Sequence, residues 1–283
     1  MEPLYVYETT VEMSTLIFQQ AKALDDIEDF EGALYLYQNA LTVQESTLGM
    51  YHEDTLKTYW SLGWSCYQLY TRNQKAYKEK LRKLKLSATN DDDTETYDML
   101  RTRMNQKNSD AHQKQAVLSY FQRAWKISRH LYGDDHCTTR FVLDDVKDVL
   151  SSELGMSVST INKYCQKMKK VFEMEEKGDK YYSFGDINRA LDLYEKGLAL
   201  EGRSMYQRYH RRASARSVDS RNGLGYADLE CKVGSILIEQ GRMKYAEGRF
   251  RSALVAYQRM LGEKHPTTLM AFEQALSFGD GIH

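Results

Sequence analysis

The chain has 283 residues, 42% of them apolar and 28% charged, with a formal charge of −1. That balance supplies enough apolar side chain for a sizeable core. It excludes a globally basic nucleic-acid binder and an acidic tail protein. The only prolines, Pro3 and Pro266, stand near the ends, so long helices are permitted almost everywhere between them.

Cys66, Cys137, Cys165 and Cys231 are widely spaced, with no C-x-x-C pair. Reduced thiols are therefore expected rather than a disulfide framework. The first residues, MEPLYVYETTVEM, are acidic and lack a charged-then-apolar leader pattern. No apolar run approaches roughly 18 residues, so no membrane span is expected. The expected compartment is the cytoplasm.

The chain opens with two predicted helices, 9–26 and 29–48. In the second, Ala33, Leu34, Tyr37, Ala40, Leu41 and Val43 recur at helical steps and draw one apolar stripe. Gly49 ends the run, since Gly takes the left-handed conformation without a Cβ penalty. Asp54 and Thr55 offer oxygens to cap the next helix, 54–72. Residues 73–113 read as an insertion. Within it, 72–86 carries seven basic residues and one acidic, and 90–98 carries five acidic and none basic. A basic helix leading into an acidic loop can bind anionic partners, pair with itself, or simply be solvated.

A helix over 114–132 then restores the earlier pattern. Gly133, His136 and Thr139 follow Ala124 by nine, twelve and fifteen residues, as Gly49, His52 and Thr55 follow Ala40. Phe121 matches Tyr37 and Ile127 matches Val43. Helices are predicted over 137–152, 157–182 and 185–201. The last carries a third copy, with Ala190, Leu191, Tyr194, Gly197 and Leu198. Residues 202–222 form a second insertion. Helices over 225–247 and 249–261 give a fourth copy, with Ala253, Leu254, Tyr257 and Met260. A helix over 266–278 would cap the array. Four copies of small-Leu-x-x-aromatic-x-x-small point to an array rather than one globular core.

This pattern resembles the tetratricopeptide repeat (TPR), a 34-residue helix–turn–helix unit. The third copy shows it best, with Gly178, Tyr181, Ala190, Tyr194 and Gly197 at the repeat's characteristic positions. The first two copies resemble the kinesin light chain variety, through Leu48-Gly49, His52 and Thr55 and their counterparts. The fourth keeps Gly241 and restores His265-Pro266-Thr267-Thr268, and reads as shortened by seven residues before Gly262. The resemblance implies an all-α, right-handed superhelical solenoid of about four degenerate repeats with two insertions. Its segments would be 1–72, the charged insertion 73–113, 114–201, the Arg-rich loop 202–222 and 223–283.

The resemblance also implies a concave groove for a partner's peptide. With Gly63 at the repeat's glycine position, Trp60, Trp64 and Tyr67 line that groove; on the third copy Glu175, Asp179 and Tyr182 take the equivalent places. Trp and Tyr dominate binding hot spots, and they equally fill cores. The second candidate is the Arg-rich loop, where Arg203, Arg208, Arg211, Arg212 and Arg216 interleave with aromatics and Ser214 sits in a basophilic kinase motif. The leading expectation is a non-catalytic scaffold for other proteins' peptides; the alternative is an adaptor or assembly factor regulated by phosphorylation of that loop.

Neither nucleic acid nor a cofactor is expected. The histidines are scattered, and His52, His136 and His265 recur because the repeat does. Asp134-Asp135-His136-Cys137 lacks a second ligand cluster, so no metal is expected. None of the phosphate-loop, nucleophile-elbow or zinc-protease patterns is present, so no catalytic residue is assigned.

Overall fold

The computed structural model describes residues 2–87, 93–152, 156–202 and 223–277. These form ten helices, with no strand among the described residues. In chain order they are α1 (Glu2–Asp26), α2 (Phe30–Thr47), α3 (Glu53–Ser87), α4 (Asp93–Tyr132) and α5 (Cys137–Ser152). They continue as α6 (Val158–Ser183), α7 (Ile187–Gly202), α8 (Leu224–Glu239), α9 (Met243–Met260) and α10 (Pro266–Leu276).

The closest partners are successive helices: α1 with α2, α3 with α4, α6 with α7 and α8 with α9. In three of these pairs a glycine on the first helix receives an aromatic ring from the second. Gly63 lies under Phe121, Gly178 under Tyr194 and Gly234 under Phe250. A Cβ at any of them would come closer than 3 Å to the ring, so the missing side chain sets the spacing of the pair. The first pair has buried Ala21 at the corresponding place relative to Tyr37.

The turns are of two kinds. Within pairs, Glu28, Gly185 and Gly241 adopt positive φ, and the N–H groups of each and of the next residue bond back to helix carbonyls. Asp29 and Asp186 then accept from the backbone N–H three residues on. After α2, α4 and α9, the positive φ belongs to Gly49, Gly133 and Gly262. A histidine caps the helix that follows. Nδ1 of His52, His136 and His265 accepts from the N–H of Asp54, Thr138 and Thr267 at 3.1, 3.3 and 3.3 Å. Thr55 and Thr139 donate back to the carbonyls of Gly49 and Gly133 at 3.0 and 2.8 Å. The cap is thus the histidine, not Asp54 or Thr55 as expected.

The fourth copy needs a second correction. The first helix of this pair ends at Glu239, Gly241 makes the turn, and Gly234 is the residue under the aromatic. The aromatic is Phe250, with buried Ala246 and Ala253 flanking it. Gly262, His265 and Thr268 therefore follow Ala253 at the spacing of the first two copies, and no residues are lost. The misreading arises because Ala246 and Phe250 recur seven residues later as Ala253 and Tyr257. Seven residues is about two turns, so both sets lie on one face.

The first insertion is also more ordered than a loop. Helix α3 runs on to Ser87 and α4 starts at Asp93, so most of the added chain extends one antiparallel hairpin. Two further contacts join elements distant in sequence: α4 meets α8, and α2 meets α10. The hydroxyl of Tyr120 donates to the carbonyl of Met260, while Thr267 donates to Glu45 at 3.3 Å. The first and last helices consequently share one hydrophobic cluster, running from Ala33 and Tyr37 through Phe121 to Tyr257 and Ala271. Helix α10 leaves Leu269, Phe272 and Leu276 exposed, whereas Leu56, Tyr59 and Gly63, the matching positions of α3, are buried.

Candidate functional site

The aromatic stripe of α3 faces the chain's own α5. The indole N–H of Trp60 donates to Oδ2 of Asp145 at 2.6 Å, and the Tyr67 hydroxyl lies 3.2 Å from that of Ser152. Trp64 meets the ring of Phe121 edge-on, with centroids 5.6 Å apart. Burial pushes the Asp145 carboxyl up, and the indole hydrogen bonds of Trp60 and Trp64 oppose it. All three aromatic residues are half-buried and joined to the cluster.

The third copy's groove residues are held in ion pairs. Glu175 is buried, a correction to its expected place on an open surface. Its Oε1 lies 2.7 Å from Nζ of both Lys126 on α4 and Lys232 on α8. Lys232 also reaches Asp179 at 2.6 Å, and Asp179 accepts from the Tyr194 hydroxyl at 2.7 Å. Tyr182 is partly exposed and donates to Glu239. The six residues therefore do not form one surface: three sit against α5 and three in a polar seam between α6, α7 and α8.

Sequence reasoning missed the seam's other members. Nη1 of Arg123 lies 2.6 Å from Asp228, and Nη2 donates to the same carboxylate at 2.8 Å. Tyr257 donates to it from α9 at 2.9 Å, and Lys126 stands 3.7 Å away. Beyond Arg123, Tyr59 donates to Glu45 at 2.6 Å, and Nε2 of His265 lies 3.6 Å from the same carboxylate. A signal was present. Arg123 and Lys126 sit on a stretch where Val117, Leu118, Tyr120, Phe121, Ala124, Trp125 and Ile127 are all buried. A helix apolar all round is interior, and its charges must then be paired.

The electrostatics follow from burial and pairing. Burial pushes the Glu175 carboxyl up, but Lys126 and Lys232 more than offset it and hold it at about 2. Burial lowers the Lys126 ammonium, yet Glu175 and Asp228 leave it above its usual value. Burial and then the Arg123 charge depress His265 to about 4. Glu45 is raised, chiefly by burial and despite Arg123 and Tyr59. Three cations, Arg123, Lys126 and Lys232, meet three anions, Asp228, Glu175 and Asp179. The seam fastens α4, α6 and α8 together, and its charges are spent on one another.

Arg203, Arg208, Arg211, Arg212, Arg216 and Ser214 lie outside the described residues. Among the described residues, no group of three or more His, Cys, Asp or Glu side chains is placed to hold a metal. No helix among them is long and apolar enough to cross a membrane. No protein-family model matches the chain, and no curated protein matches it significantly in sequence.

Past the α1–α2 turn, the described residues of α3 carry a run of exposed cations. Arg72 passes the α1–α2 turn, donating to the carbonyl of Glu28 at 3.1 Å and to Glu31 at 3.3 Å, with its guanidinium over Phe30. Helix α3 then continues for about four turns to Ser87. On that continuation Tyr77 and Leu81 are half-buried, while Lys75, Lys78, Lys80, Arg82 and Lys83 are exposed.

Proposed function

We propose that the chain is a non-catalytic interaction scaffold, a tetratricopeptide-like array of helix pairs that holds the α3–α4 hairpin out as a contact arm. The recurrent glycine–aromatic contacts and histidine caps support the array reading. The observation that carries the function is the continuation of α3 past Arg72, beyond its contacts with the α1–α2 turn. The expected groove residues are engaged internally, by Asp145 and Ser152 on α5 and by Lys126 and Lys232 in the seam. Contact with partners therefore falls to the outer surface.

The repeat register defines a test. Replacing residues 69–113 with the three-residue turn Phe184-Gly185-Asp186 gives the Gly63–Phe121 pair the spacing of Gly178–Tyr194. The shortened chain is expected to remain helical and melt cooperatively while losing proteins that co-purify with the full chain from its native host. Recovery of the same proteins by the folded, shortened chain would remove the arm from the function.

A further inference from the structure

From Lys75 to Lys83 the exposed face of α3 is strongly basic: five cations meet one acid, Glu79. Glu79 is taken by Arg82, with hydrogen bonds of 3.0 and 3.1 Å, and stands 3.9 Å from Lys83. Lys75, Lys78 and Lys80 have no ion-pair partner among the described residues. Concentrating exposed cations on a rigid helix costs self-repulsion, which a complementary anionic surface relieves.

The character of the face selects among anions. Its outward residues are Lys75, Ala76, Lys78, Glu79, Lys80, Arg82 and Lys83. No large apolar residue is among them, so the face lacks what an interfacial membrane helix inserts. No aromatic is among them either, so bases would have no stacking platform. Lys75, Lys78 and Arg82 follow one another at three and four residues, one stripe along the helix. A second helix laid along that stripe presents carboxylates at the same three- and four-residue steps.

We infer that the arm binds an acidic helical segment of another protein, with carboxylates on one face set against the stripe of Lys75, Lys78 and Arg82. It rests on the scaffold reading above but is tested without it. A labelled helix-forming peptide with Glu at i, i+4, i+7 and i+11 is titrated into the full chain by fluorescence anisotropy, beside a peptide with Gln at those places. The Glu peptide is expected to bind, with affinity falling as salt rises. The Lys75→Glu, Lys78→Glu, Arg82→Glu variant is expected to lose about ten-fold or more in affinity with unchanged circular dichroism. The same variant is expected to gain affinity for a Lys-faced version of the peptide, which a misfolded chain would not. Equal binding of the Glu and Gln peptides, or wild-type affinity in the triple variant, overturns the inference. So does tighter binding of duplex DNA or phosphatidylserine vesicles than of the peptide. If the shortened chain loses its partners while the triple variant keeps them, the scaffold stands and the acidic helix is wrong.

Discussion

Gly178 lies under the ring of Tyr194, so close that a Cβ at position 178 would come within 2.4 Å of it. The ring has no room to yield, because its hydroxyl is held by Asp179. Overpacking of this kind costs about 1–3 kcal/mol, while Ala gains up to about 1 kcal/mol of helix propensity over Gly. Gly178→Ala is therefore expected to lower stability by about 1–2 kcal/mol in urea denaturation. In α1 the corresponding residue is already alanine, so Ala21→Gly is expected to destabilise by about 1 kcal/mol through propensity. A stabilised Gly178→Ala chain would show that the pair is looser than described.

The α1–α2 turn carries Glu28 at φ 62°, where the α6–α7 and α8–α9 turns have Gly185 and Gly241. A side chain in this region costs about 1–2 kcal/mol, partly balanced by the greater freedom of Gly in the unfolded chain. Glu28→Gly is expected to raise stability by about 0.5–1 kcal/mol, read as an upward shift in the urea midpoint. No shift would mean that the turn relaxes away from positive φ.

Removing one partner of the buried seam leaves another charge stranded. Glu175→Gln leaves the almost fully buried Lys126 with only Asp228, 3.7 Å away, and is expected to cost up to about 3–5 kcal/mol. A double variant that also changes Lys126 to Met is expected to recover much of this loss, because an apolar side chain needs no partner. Additive losses in a double-mutant cycle would break the assigned pairing.

The seam also predicts acid sensitivity. His265 titrates near 4 in the fold against an ordinary value of 6.5, so the unfolded chain takes that proton first. The stability this group contributes is present above about 6.5 and lost as pH falls toward 4. The paired Glu175, held at about 2, adds a loss below its ordinary value of 4.5. Glu45 acts in the opposite sense, since its raised carboxyl is protonated earlier in the folded chain. His265→Asn keeps an acceptor for the α10 cap and removes the titration. The melting temperature of this variant is expected to fall less than that of the wild type between pH 6.5 and 4. Parallel curves would exclude His265 as the group responsible.

Much of the local structure was legible because its causes are local. A glycine in the left-handed region, a histidine accepting an N–H two residues on and a threonine reaching back six residues leave a spacing visible in the chain. The same economy produced the register error in the fourth copy. Ala246–Phe250 and Ala253–Tyr257 obey one rule, and only the contact of Phe250 with Gly234 distinguishes them. Trp60, Trp64 and Tyr67 were recognised as a stripe, but helical spacing gives a face and not what covers it.

By itself the sequence determined that the chain is helical, where five of the ten helices begin and end, and the small and aromatic residues of the third copy, Gly178 and Tyr194, that meet within their pair. Each of these rests on bonds and steric limits spanning a few residues. The tertiary structure alone decided that α10 returns to α2, that α5 covers the tryptophans and that Arg123 and Lys126 meet Asp228 and Glu175. Those pairings join groups 49 or more residues apart, as Lys126 and Glu175 are. Charges that far apart carry no mark of one another until burial removes the water that would otherwise satisfy each alone.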